Sequence, residues 1–228
     1  MNRLTFHGHA CFTLDTTSGH RLMFDPWLDG NPVADIGTEA IDELDYILCS
    51  HGHSDHFSDA IPLLKKTGAM LIATFEIVAF AQEKGVTNGH GMSIGGGYRF
   101  PFGYAKMTPA AHGGQVAGDD AGAYTTHAAG WWLDLGGVRL YHAGDTALIK
   151  DMELLHGRVD IALLPIGDNF TMGPDDAARA VEMIAPRVVI PMHYNTFDVI
   201  KQDPHDFARK VGSMAEVRIL QPGDSYEF

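Results

Sequence analysis

Apolar and polar positions fall into short blocks along the chain, and the type of block changes twice. The N-terminal stretch RLTFHGHACFTLDTTSGHRLMFDPWLDGNP reads as strand, turn, strand and loop, with TTSG as the turn and Asp25-Pro26 ending the second strand. LDYILCS is a continuous apolar run, the pattern of a strand buried on both faces, and it leads directly into a histidine-rich segment. SDAIPLLKKTG then reads as a helix opened by Ser58 or Asp59 and closed by Gly68, AMLIAT as a strand, and FEIVAFAQEKG as a helix. Residues 86–140 are richer in glycine and alternate more strictly, which predicts consecutive antiparallel strands. The last third returns to mixed elements: VDIALLPIG strand, GPDDAARAVEMIA helix, RVVIPMH strand, PHDFARKVG helix and EVRILQPG strand. Pro174 followed by two aspartates is a favourable helix start, because proline loses nothing in the first turn and acids suit the helix N-terminus. The order αβ, β-rich, αβ has no linker or low-complexity segment. It predicts an α/β fold in one domain, 1–228, with two sheets sandwiched between helices.

Composition narrows the partners more than the fold. A formal charge of −13 argues against a general nucleic-acid binder, which needs a basic face to neutralise phosphates. No run of eighteen apolar residues is present and MNRLTFHGHACF lacks a signal-peptide core, so the expectation is a soluble cytoplasmic protein without a membrane segment. Two cysteines, Cys11 and Cys49, are too few for a disulfide framework and read as small buried hydrophobes.

The chemistry is concentrated in CSHGHSDHFSDA, residues 49–60. His51, His53, Asp55 and His56 are spaced too irregularly for one face of a helix or strand, so a loop must gather them. Strand ends elsewhere supply further donors: His112 in MTPAAHGG, Asp145 in LYHAGDT and His193 in VVIPMHYNTF, each after an apolar run and before small or turn-forming residues. Five imidazoles and two carboxylates suit zinc, manganese or iron better than calcium or magnesium. Seven donors exceed one tetrahedral site and suit two divalent ions sharing a carboxylate and a water.

These residues carry a resemblance. HGHSDH, followed by AAH, AGDT and PMH in order, resembles the metallo-β-lactamase superfamily over nearly the whole chain. GHACF, FDPWLDGNP, YHAGDT, PIGDNFTMGPDDAA and PMHYNTF are closer still to metal-dependent hydrolases near the ascorbate phosphate lactonases. The resemblance implies a four-layer αββα sandwich, with His51, His53 and His112 on a first metal, Asp55, His56 and His193 on a second, and Asp145 bridging. It implies that Asp25 accepts the other ring proton of a metal-bound histidine, support that such a ligand needs. His9 matches a family residue near the site; with Asp55 it is a candidate catalytic group, through substrate contact or through support of the ligands. Tyr194 and Asn195, next to His193, are candidate substrate contacts.

The expected chemistry is attack of a bridging hydroxide on a small ester-like substrate, first a lactone or sugar-phosphate lactone, with phosphodiester cleavage as the alternative and a non-catalytic metal sensor or scaffold as the rival from another class. Two divalent ions bring about +4, and two carboxylates and a hydroxide leave about +1, which favours an anionic or easily polarised substrate. His7, His20, His90, His127, His142, His156 and His205 are expected on turns or exposed faces without function. Trp131 and Trp132 read as core and surface neighbours on one strand. The sheet edges expected of such a sandwich favour association into a homo-oligomer.

Overall fold

The apolar run LTFHGHACFTL does not form one strand. In the computed structural model, which describes residues 1–228, Gly8 and His9 take left-handed backbone angles (φ +97° and +59°) and fold the run back on itself. The halves are β1 (Arg3–Phe6) and β2 (Phe12–Asp15), antiparallel with Phe6 opposite Phe12. The turn at 16–19 then leads to β3 (Arg21–Phe24). The hairpin tip carries His9 to the end of the sheet, where the histidine-rich loop also lies.

From β3 the sheet continues in parallel. β4 (Tyr46–Leu48) is followed by a single helical turn, α1 (Ser54–Phe57), and by α2 (Ala60–Thr67), which Gly68 closes at φ +74° as its position predicts. β5 (Met70–Thr74), α3 (Phe75–Glu83) and β6 (Gly89–Met92) complete this half. The structure corrects the reading of residues 86–140 here, because β6 lies parallel to β5 in the first sheet. Its glycines serve the packing of α3: a Cβ on Gly89 would stand 2.8 Å from Val78 Cγ1, and one on Gly91 3.1 Å from Phe75 Cα.

The second sheet begins with the antiparallel strands β7 (Gly97–Phe100), β8 (Gly103–Pro109), β9 (Ala129–Asp134) and β10 (Arg139–His142). It continues in parallel through β11 (Ile161–Pro165), α4 (Pro174–Ile184), β12 (Val188–Met192), α5 (Pro204–Val211) and β13 (Glu216–Val217). The run EVRILQPG yields only two strand residues, because the chain then leaves the sheet and Leu220 buries itself between the two sheets. The last strand, β14 (Ser225–Glu227), pairs with β1 and has no strand pattern of its own in the sequence.

Three apolar cores account for four layers. One lies between the sheets, around Phe12, Phe24, Trp131 and Leu163; a second lies under α1 to α3; a third lies under α4 and α5. β11 and β12 are buried along their full length, which explains their uninterrupted apolar sequence. Trp131 is in the core and Trp132 on the outer face, as their alternation predicts. Both cysteines are buried and unpaired. No helix is long and apolar enough to cross a membrane.

Where the second sheet changes from antiparallel to parallel, Asp160 binds the Arg139 N–H at 2.8 Å and its guanidinium at 3.0 and 3.2 Å, while the Asp160 carbonyl accepts the N–H groups of Arg187 and Val188. Burial raises the Asp160 pKa, but the Arg139 donors outweigh it and hold the carboxyl below its ordinary value. A depressed carboxylate stabilises the fold above its unfolded pKa, and the contribution disappears as pH falls through the folded value. Asp160→Asn is therefore expected to cost about 1 kcal/mol at neutral pH. Urea unfolding should show the gap from wild type narrowing at about pH 3; a gap independent of pH would contradict this role.

Candidate metal centre

The donors sit at one edge of the sandwich because the strands that deliver them run the same way within each sheet. Asp25 directly follows β3, and His51 follows β4 through Cys49 and Ser50. His112 follows β8, Asp145 follows β10 and His193 directly follows β12. His53 precedes the single turn α1, which then presents Asp55 and His56. That turn is how a segment unsuited to one helix face still aims its donors at one point.

The structure brings all seven predicted donors together. His53 Nδ1 lies 3.0 Å from His51 Nε2 and 3.2 Å from His112 Nε2. Asp145 Oδ2 lies 3.0 Å from His193 Nε2, 3.3 Å from His56 Nε2, 3.5 Å from His112 Nε2 and 3.9 Å from His51 Nε2, so it stands between two groups of rings. Asp55 Oδ2 approaches His193 Nε2 at 3.8 Å and His56 Nε2 at 4.0 Å.

These contacts are poor as hydrogen bonds and good as a cradle for cations. Ring nitrogens that face each other at about 3 Å repel unless a proton or a cation lies between them. His56 Nε2, Asp145 Oδ1 and both ring nitrogens of His193 are buried without a hydrogen-bond partner. Each unsatisfied buried group costs about 1–3 kcal/mol, a penalty that cation binding relieves for the atoms it coordinates. Mixed nitrogen and oxygen donors of this kind fit zinc, manganese or iron.

Asp25 lies beneath both groups. It is fully buried and accepts the His56 Nδ1–H at 2.8 Å, the Ser50 N–H at 2.6 Å and the Ser50 hydroxyl at 2.6 Å. The Ser50 oxygen in turn lies 3.0 Å from His51 Nδ1. One carboxylate thus fixes the ring orientations of His56 and His51 and turns their Nε2 atoms toward the centre. Burial disfavours a charged His56, but Asp145 and Asp25 outweigh it and raise its pKa well above the ordinary value. Burial and the neighbouring His56 push His51 the other way. Ser50 went unnoticed in the sequence, where its place before the first histidine was the only signal.

His9 is engaged at both ring nitrogens, with Nε2 3.1 Å from Asp55 Oδ2 and Nδ1 2.9 Å from Thr196 Oγ1. Its side chain is fully buried, with Trp27 and Phe197 edge-on against it, so its polar contacts are with Asp55 and Thr196. Burial, followed by the field of His193, lowers its pKa to about 4 and keeps it neutral at neutral pH. Asp55 is held well below the usual carboxylate range: burial opposes this, but the His9 hydrogen bond and the His56 charge prevail.

The structure also gives the surroundings of the remaining candidates and of two histidines expected on turns or exposed faces. Asn195 is exposed, and its Oδ1 accepts the Gln202 N–H at 2.8 Å. Tyr194 packs against the outer core of the second sheet, and burial pushes its phenol up to about 12. His7 and His142 are buried rather than exposed. His7 joins Asp35 at 2.8 Å and Thr13 at 2.9 Å, and His142 lies 3.1 Å from the Ala10 carbonyl and accepts the Gly144 N–H at 3.1 Å. His142 therefore ties the His9 hairpin to the Asp145 loop.

Comparison with known proteins agrees with this geometry. The model of the beta-lactamase superfamily domain matches residues 3–193. The chain is 47% identical to a UPF0173 metal-dependent hydrolase of Heliobacterium modesticaldum, over 99% of this chain and 97% of that protein. It is 43% identical to one from Shouchella clausii, over 99% and 100%. Among solved structures, a metallo hydrolase from the archaeon Ignicoccus hospitalis superposes with a TM-score of 0.89 at 33% identity, covering 100% of both chains. The chain belongs to the beta-lactamase superfamily and, within it, to the metal-dependent hydrolases that these relatives represent.

Proposed function

We propose that this hydrolase opens a small ester-like substrate, a lactone or sugar-phosphate lactone, with two divalent ions, zinc first among them. The observation that carries the reading is the convergence of seven donors, Asp145 within 4 Å of four of the rings, with four donor atoms buried and otherwise unpartnered. The lactone preference rests on the sequence blocks that resemble lactonases.

In this reading His51, His53 and His112 would hold one ion and Asp55, His56 and His193 the other, with Asp145 beside both groups. When bound, two such ions lower the pKa of water and polarise an ester-like oxygen. The chain itself sets direction and proton flow. His51, His56, Asp145 and His193 have side chains at most 3% exposed, while Asp55 and His112 are 21% and 14% exposed, so substrate approaches from the side of Asp55 and His112. Asp55 Oδ2 is the acceptor for the proton lost by the attacking water, and neutral His9, donating from Nε2, holds that oxygen in place. Thr196 fixes the His9 ring from the opposite side.

Assaying lactones and phosphodiesters side by side on one preparation tests the proposal. Lactone opening should dominate and should fall by roughly 10²–10⁴ in Asp55→Ala, the range for loss of a positioned general base; activity that survives this change would contradict the site. Asp25→Asn is expected to keep the fold, since Asn tolerates the left-handed angle of residue 25 (φ +43°), and to weaken metal binding by about 10–100-fold. Competition against a chelator measures this, and unchanged affinity would remove Asp25 from its supporting role.

A further inference from the structure

The outer face of β8, β9 and β10 is not covered by a long helix. A 3-10 segment at Lys150–Leu155 lies over part of it and leaves a cavity of about 430 Å³, lined by none of the candidate metal donors. This volume lies within the range of small-ligand pockets and suits a molecule of one or two rings.

The cavity has a polar floor, aromatic walls and a cationic mouth. On the floor, Thr108 Oγ1 is buried beside the Tyr141 phenol without a hydrogen bond of good geometry. Trp132 spends its indole N–H on the Arg158 carbonyl at 2.8 Å, which leaves its ring free for packing, and Tyr104 stands across it at 71°. Met152 and Leu155 supply apolar contact.

Charge selects among possible occupants. Lys106 and Arg158 line the cavity but take no part in the ion pairs that hold Arg3, Arg21, Arg139 and Arg209, although the chain carries −13 overall. Arg99 lies over the outer Tyr104 ring, 5.9 Å from its centroid. Asp151 is the one carboxylate in the lining. Unpaired cations at the rim of an aromatic pocket in an acidic protein are complementary to an anion with a flat apolar body.

We propose that this cavity is a second ligand site for a planar aromatic carboxylate of one or two rings. The carboxylate meets Lys106 and Arg158, and the ring lies along Trp132 and Met152.

Three probes with the same ring separate charge from shape: indole-3-acetate, indole and tryptamine. Each is titrated into the whole protein while the indole N–H signals of its three tryptophans are followed by NMR. Trp132 reports on the cavity, and Trp27, packed edge-on to His9 at 5.1 Å, reports on the metal centre. Indole-3-acetate should shift Trp132 saturably and leave Trp27 still, with or without chelator. Indole and tryptamine should bind about tenfold more weakly or worse, and Lys106→Gln and Arg158→Gln should each weaken indole-3-acetate about fivefold or more. Equal binding of the three probes, no binding, binding that shifts Trp27 or is lost with chelator, or unchanged affinity in both variants would overturn the proposal.

Discussion

The edge of the sandwich that carries the donors is organised around one buried carboxylate. Asp25 leaves β3 in a left-handed conformation, where it accepts a ring proton from His56 and both donors of Ser50. A buried charge without such partners costs several kcal/mol, so Asp25 and the loop after β4 hold each other in position. Through Ser50 the constraint reaches His51, and the Ser50 carbonyl accepts the Ala129 N–H from the second sheet. The cradle is thus fixed to both sheets before any cation is considered.

The same edge stores backbone strain. His9, Asp25 and His193 all have positive φ, a conformation that side chains other than glycine adopt only with compensation. At His193 the compensation includes the hydrogen bond from its N–H to the His9 carbonyl at 2.7 Å, which joins the hairpin tip to the end of β12. Sharp exits from three strands let the side chains face one another across the sheets. Regular strand ends would alternate them toward opposite faces.

Much of the site was legible in the sequence because its donors follow apolar strands at abrupt boundaries; the layers were legible because buried parallel strands lack polar positions. The misread features depend on tertiary packing. Glycines in GHGM look like antiparallel turn chemistry until α3 is seen lying against them. The hairpin at Gly8-His9 hides within an apolar run, and β14 is defined only by its distant partner β1. His7 and His142 look like stray polar residues, yet their buried rings meet Thr13 and the Ala10 carbonyl, partners that no local pattern reveals. His9 was recognised as near the site, but its neutral, fully engaged ring, held by Thr196, follows only from the fold.

The support beneath His51 and His56, the position of Asp145 between two groups of rings and the exposure of Asp55 together support the proposal of a cradle for two ions, open on one side. Elemental mass spectrometry on protein purified without a metal-affinity tag tests this most directly. The account expects close to two zinc, manganese or iron atoms per chain; one or none, with no activity recovered on adding metal, would contradict it.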